Sequence, residues 1–262
     1  MKRHIVAIIQ ARMGSQRLPG KVLLDIHGKP MLQRVLERVA DSKLIDRTVV
    51  ATTTEAGDDP IDRFCKSRGY RVVRGHPSDV LDRYLQAAQS QHADIIVRLT
   101  ADCPLLDPCV IDMTIQALLD SDPPADLALN RIPGSRTFPI GLDTEVCTMQ
   151  ALQRAWEEAD QPYQREHVLP YLYEVPGRFR VLQVDHARDY GTLRWTVDTP
   201  EDLQLVRQVY ADFAPAEDFS WLDVLDYFAD HPEIAALNAA VIHKGFTDVD
   251  DRTKVENSEG PA

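Results

Sequence analysis

Residues 8–23 read IIQARMGSQRLPGKVL. A β-branched apolar run, Ile5 to Ile9, ends abruptly in a loop that carries Arg12, Arg17 and Lys21. Such a run, short and closed by polar residues, predicts a buried strand. The loop after it is nearly a P-loop but departs from one at two points. Five residues separate Gly14 from Gly20, where a P-loop has four, and Val22 follows Lys21 where a P-loop has Ser or Thr for magnesium. Two glycines let the backbone approach a ligand closely, and three cations supply charge, so the loop suits an anion. The other reading, an exposed basic loop with weak surface ion pairs, is disfavoured by the loop's place directly after the first strand.

Working outward, strand and helix patterns alternate. A helix starts near Pro30, with Met31, Leu32, Val35, Leu36 and Val39 on one face. Strands follow at Thr48–Thr52, Arg71–Arg74 and Asp94–Leu99. Helices are predicted over Asp58–Arg68, from a Ser78 cap to about Ser90, and over Pro108–Asp120. The alternation predicts βαβ units, a mostly parallel sheet and an α/β fold. Ligands of such sheets sit beyond the carboxyl ends of the strands, so the loops from Gln10 and Thr100 should open on one edge. Further strands are expected at Ala125–Arg131, Phe138–Thr148, Phe179–Val184 and Leu193–Val197, with helices at Met149–Glu158, Arg165–Glu174 and from Thr199-Pro200. We read one domain over 1–245, with 131–180 as an inserted arm, and a polar tail over 246–262.

The bulk numbers exclude several classes. The chain has 262 residues and a net charge of −12, so no overall positive field draws in a nucleic-acid backbone. Its apolar N-terminal run is too short for a signal segment or membrane span, which predicts a cytoplasmic protein. Cys65, Cys103, Cys109 and Cys147 form no CxxC pair and read as buried thiols rather than a zinc site.

The stretch extended to IIQARMGSQRLPGKVLLDIHGKPMLQRVLERV resembles the opening of the cytidylyltransferases that make CMP-activated acidic sugars. These include the CMP-KDO and CMP-acylneuraminate synthetases; the nearest branch is that of spore coat polysaccharide biosynthesis protein F. VVATTT, DVLDRYLQAA, IIVRLTADCPLLDP, FPIGLDTEV, REHVLPYLY and LRWTVDTPEDL agree in order, so the resemblance covers about 4–210. It implies a Rossmann-like nucleotidyltransferase sandwich, CTP as substrate, a sugar acceptor, and a homodimer formed through the arm. It also implies that Arg12 and Lys21 hold the triphosphate, with Gly14, Ser15 and Arg17 as neighbours, and that Ala11, Asp79 and Arg83 lie near the base.

Two acids follow late strand ends, Asp102 in Thr100-Ala101-Asp102 and Asp198 in Val197-Asp198-Thr199. Magnesium takes a few carboxylates together with water and phosphate oxygens, and the resemblance assigns Mg2+ to these two positions. Taken alone, Asp102 also suits a turn and Asp198 a helix cap. Asp79 also suits a helix start and Arg83 a surface position. Arg98, late in an apolar strand, reads as a snorkelling edge residue or a phosphate or acceptor contact. For the acceptor, the resemblance points to Glu145, Arg165, His167 and Tyr171, although Leu169 stands where the KDO enzymes carry glycine. His167 is also one candidate for the proton acceptor. The expected reaction is Mg-dependent transfer of CMP from CTP to a sugar hydroxyl in surface polysaccharide synthesis. A sugar-phosphate nucleotidylyltransferase and a non-catalytic nucleotide-binding partner are the alternatives. A glycosyltransferase, which normally carries an Asp-x-Asp metal motif, is disfavoured; Asp248-Val249-Asp250 lies in the polar tail, a poor site for metal.

Overall fold

A computed structural model describes residues 2–132 and 134–242; the tail over 246–262 lies outside them. The elements run β1 (Ile5–Gln10), β2 (Asp25–Ile26), β3 (Lys29–Pro30), α1 (Met31–Ala40), β4 (Arg47–Thr53), α2 (Asp59–Arg68) and β5 (Val72–Gly75). They continue with α3 (Val80–Ser90), β6 (Ile95–Thr100), α4 (Pro108–Leu119), β7 (Leu127–Leu129), β8 (Glu145–Thr148), α5 (Met149–Glu158), α6 (Pro162–His167) and α7 (Pro170–Tyr173). The described chain closes with β9 (Val181–Gln183), α8 (Pro200–Asp212), α9 (Trp221–Asp230) and α10 (Pro232–Ala235).

Among the described residues one large sheet has the order β5-β4-β1-β6-β8-β7-β9. Every neighbouring pair is parallel except those made by β8, which runs against both β6 and β7. The alternation of strand side chains fixes three layers. Ile5, Ala7 and Ile9 of β1 pack with Val35, Ile61 and Ile115, and so with α1, α2 and α4. Val6 and Ile8 point to the other face and pack with Leu81, Leu85 and Leu152 of α3 and α5. A third apolar cluster joins Trp195 and Val197 to α8 and α9 through Leu205, Val206, Val224 and Phe228.

The chain leaves β1 toward β4 on one side and later returns to β6 on the other. The gap between β1 and β6 is therefore the switch point, where ligands of open α/β sheets lodge. Gln10 faces Thr100 in register, and the Ala101 amide donates to the Gln10 carbonyl at 3.0 Å. The two loops do open on one edge.

Several local expectations need correction. Leu193–Val197 is not a ladder strand; it holds by a single bridge from Arg194 to Ile140 and by a Val197 amide bond to the Asp102 carbonyl. Its apolar residues are buried by the third cluster rather than by a strand neighbour. Of Phe138–Thr148 only the last four residues form a ladder strand, because Gly141, at φ +113°, turns the chain against Trp195 and Thr196. Arg165–Glu174 is two short helices, broken where Val168 takes φ +75° ahead of Pro170. Asp79, not Ser78, caps α3, accepting from the Asp82 amide at 2.9 Å. Cys109 is exposed, while the other three cysteines are buried.

A Cβ at Gly141 would lie 2.7 Å from backbone atoms of Trp195 and Thr196, at a φ only glycine adopts readily. Gly141→Ala should therefore lose about 2 kcal/mol or more in urea unfolding, from strain and overpacking together.

Candidate active site

The loop after β1 is shaped by its own backbone. The Met13 carbonyl accepts from the Ser15 amide at 3.0 Å and the Gly20 amide at 2.9 Å. Buried Asp58 takes the Met13 amide at 2.6 Å and also accepts from the Thr53 hydroxyl. Gly20, at φ +70°, turns the chain into a single helical turn that begins at Lys21. Beyond this loop lies a cavity of about 560 Å³. Its cations are Arg12, Arg17, Lys21, Arg83, Arg131 and Arg136. Its acids are Asp102, Asp143, Glu166 and Asp198. Taking His167 as neutral, the lining carries two excess positive charges in a protein whose net charge is −12.

Lys21 is the centre of this lining. Its ammonium donates to Asp102 at 2.7 Å, to Asp198 at 2.8 Å and to the Val197 carbonyl at 2.8 Å. Burial alone would lower the lysine pKa, but the charges of Asp102 and Asp198 overcome it and hold the group above its ordinary value. Burial would likewise raise Asp198. The Lys21 charge, with hydrogen bonds from Lys21 and Arg194, instead holds its carboxyl far below the usual range. Arg17 adds a contact to Asp198 at 2.9 Å. The two acid-bearing turns are also tied through the backbone, since the Asp102 carbonyl accepts from the Val197 amide at 2.8 Å and the Thr196 hydroxyl at 3.1 Å.

These donors fit a divalent cation. Asp102 and Asp198 are hard oxygen ligands, and both already reach one positive centre. Among the described residues no three acids, histidines or cysteines gather into a ready-made cage. Protein donors for magnesium would thus number two, a set completed by water and substrate phosphate.

A sheet of this order, with a basic loop and a carboxylate pair at its switch point, agrees with a model of the family described as cytidylyltransferase, which matches residues 6–225. The chain belongs to the cytidylyltransferase family. It is 33% identical to the Bacillus subtilis spore coat polysaccharide biosynthesis protein SpsF, over 88% of this chain and 96% of that one. It is 30% identical to a 3-deoxy-manno-octulosonate cytidylyltransferase of Solibacter usitatus, over 80% and 96%. A solved cytidylyltransferase from Leptospira borgpetersenii superposes with a TM-score of 0.84 at 34% identity, covering 93% of this chain and all of that one. The fold is that of the nucleotidyltransferases, and the chain is an enzyme of that class. No described helix is long and apolar enough to cross a membrane.

In this cytidylyltransferase, Ala11, Arg12, Gly14, Ser15, Arg17, Lys21, Arg83, Thr100, Asp102 and Asp198 all line the cavity. Arg83 is buried there, its guanidinium donating to the His76 carbonyl at 2.7 Å, and burial lowers its pKa. Asp79 and Arg98 do not line it. Asp79 caps α3 and pairs with Arg165. Arg98 is buried against Glu145 and reaches the Gln10 amide oxygen at 3.2 Å. Of the four acceptor candidates the cavity takes only His167. Glu145 and Arg165 are held by the pairs just named, and Tyr171 donates to Glu158 at 2.6 Å.

Sequence reasoning missed Arg131, Arg136, Asp143 and Glu166, which line the cavity, and Arg194, which grips Asp198. Arg136 spans both oxygens of Asp143. The available signal was the charge flanking FPIGLD, an arginine on one side and an aspartate at its end.

The Arg98–Glu145 pair lies inside the sheet, so removing one partner strands the other charge. Arg98→Met should cost about 3–5 kcal/mol in chemical denaturation, several times the effect of Arg154→Met at the exposed Arg154–Glu158 pair.

Proposed function

We propose that this cytidylyltransferase moves CMP from CTP to a hydroxyl of an acidic sugar, releases pyrophosphate, and uses Mg2+. The observation that carries the reading is the Lys21 ammonium shared by Asp102 and Asp198 at the mouth of an arginine-rich cavity. A carboxylate pair facing one cation, beside a loop of positive charge, is what in-line displacement at a phosphate requires: a place for metal and a place for the leaving group. Asp102 and Asp198 would hold the magnesium, which, when bound, offsets charge on the reacting phosphate.

The remaining roles fall to the chain itself. The β1 loop, through Arg12, Arg17 and Lys21, binds the triphosphate. The acceptor oxygen attacks the α-phosphorus in line, the bond to the bridging β-phosphate oxygen breaks, and the hydroxyl proton is lost to a base. Arg12 and Lys21 offset the charge that accumulates on the departing pyrophosphate. The far end of the cavity receives the acceptor, with His167 from the expected set joined by Arg131 and Arg136. The name of the Bacillus relative favours a role in surface polysaccharide synthesis. We also assign residues 131–180 to a homodimer interface, for which sedimentation at micromolar concentration should give twice the chain mass.

Pyrophosphate release with CTP, Mg2+ and a panel of acidic sugars tests the reaction. Asp102→Asn should retain its melting temperature within a few degrees and lose at least about 100-fold in turnover, the scale of losing a main electrostatic group. Near-normal magnesium-dependent release by that variant would overturn the metal assignment. Release with UTP and a sugar phosphate, but not with CTP, would overturn the reaction.

A further inference from the structure

The geometry points to Arg194 as a positioning residue that aims Asp198 at the cation site while adding no net charge there. The inference rests on the reading of Asp198 as a metal ligand. Three cations touch the Asp198 carboxylate, and they differ in kind. Lys21 and Arg17 reach it from the β1 loop, the side of the phosphates. Arg194 reaches it from behind, its Nη2 donating to Asp198 Oδ2 at 2.7 Å.

The same guanidinium is locked by Asp202. Its Nε donates to Asp202 Oδ1 and its Nη2 to Asp202 Oδ2, both at 3.0 Å. Asp202 is wholly buried, and Arg194 nearly so. Asp202 Oδ2 also accepts the backbone amides of Asp198 at 2.9 Å and Thr199 at 3.0 Å. Asn238 completes the brace: its amide donates to Asp202 Oδ1 at 2.8 Å and to the Arg194 carbonyl at 2.9 Å. Side chain and main chain of Asp198 are thus fixed by one planar unit.

The charge arithmetic gives this unit its purpose. Arg194 is cancelled by Asp202, so its grip on Asp198 adds no repulsion against an incoming dication. Lys21, which keeps Asp102 as a partner at 2.7 Å, and Arg17 can exchange Asp198 for the phosphates of a nucleotide. What stays in place is an oriented carboxylate: its Oδ2, which Arg17 also touches, is held by Arg194 Nη2, and its Oδ1, the oxygen Lys21 now meets, is left for the site. Outer partners of this sort set the orientation of metal-binding carboxylates, and their loss costs about 10–100-fold in metal affinity.

Arg194→Lys keeps the charge and removes the planar fork. We expect Mn2+ binding, read by electron paramagnetic resonance with enzyme in excess of CTP, to weaken by about tenfold. CTP binding at saturating Mn2+ should stay within about twofold of the parent, a split that simple loss of stability does not produce. Asn238→Ala, a milder change to the same brace, should weaken Mn2+ binding in the same direction and decides alone should Arg194→Lys fail to fold. Parent-like Mn2+ affinity in the folded variants, with affinity lost in Asp198→Asn, overturns the positioning role and leaves the metal reading standing. Parent-like affinity in Asp198→Asn overturns the metal reading and this inference with it.

Discussion

A single ammonium group holds the site together. Lys21 meets Asp102, 81 residues away, and Asp198, 177 residues away, at hydrogen-bond distance. A buried lysine without acids pays a desolvation cost of several kcal/mol, and two adjacent carboxylates without a cation repel each other. Brought together, each remedies the other's penalty. Arg17 supplies the second positive charge, so that two acids face two cations. The loop after β1, the turn after β6 and the turn before α8 cannot move independently without breaking that balance. This is why the departure from a P-loop matters. Val22 offers no hydroxyl, and the lysine beside it turns to acids supplied by two distant turns instead.

The three turns reach one point by different physics. Two of them are delivered by the sheet, because β1 and β6 are parallel neighbours whose ends are in register. The third is not delivered by any ladder. Residues 193–197 lie against the 138–142 loop and the Asp102 turn, held by amide bonds to Ile140 and Asp102 and by the burial of Trp195 and Val197. The bend at Gly141 permits that approach, since a side chain there would enter the backbone of Trp195 and Thr196. The third core cluster therefore does for Asp198 what the sheet does for Asp102.

That division explains what the sequence discloses. The first half of the fold is written in local periodicity: a period of two or a continuous apolar run in the strands, a helical stripe from Met31 to Val39, and capping residues before α3 and α8. Each such signal spans fewer than a dozen residues and needs no knowledge of the rest. Asp102 and Asp198 were legible because each follows a strand-like run directly. Glu145, Arg165 and Tyr171 lie off the cavity, held by partners that a sequence does not name. Arg98 lies 47 residues from Glu145, and Asp79 lies 86 from Arg165. Both partners suit ligand contacts in sequence, whereas in the fold each neutralises another candidate. Arg131 and Arg136 stayed hidden for the opposite reason. Arg136 sits in an irregular segment with no periodic pattern, and Arg131 ends a predicted strand, so nothing local marks either as facing a cavity.

The charge of the cavity bears on the proposed reaction as a whole. Six cations oppose four acids, an excess of two within a strongly acidic protein. A field confined to one cleft can gather a small anion while the exterior repels long polyanions, because exposed charges farther apart than about 10 Å are largely screened by salt. The excess lies at one end. Near the β1 loop, Arg12, Arg17, Lys21 and Arg83 oppose Asp102 and Asp198, which accounts for the whole excess. At the other end, Arg131 and Arg136 face Asp143, with Glu166 nearby. A triphosphate brings more negative charge than the first end alone offsets, which is the electrostatic reason the proposed reaction calls for a divalent cation held by the carboxylate pair. At the second end two arginines are matched by two acids, which favours an acceptor with modest negative charge over a second polyphosphate.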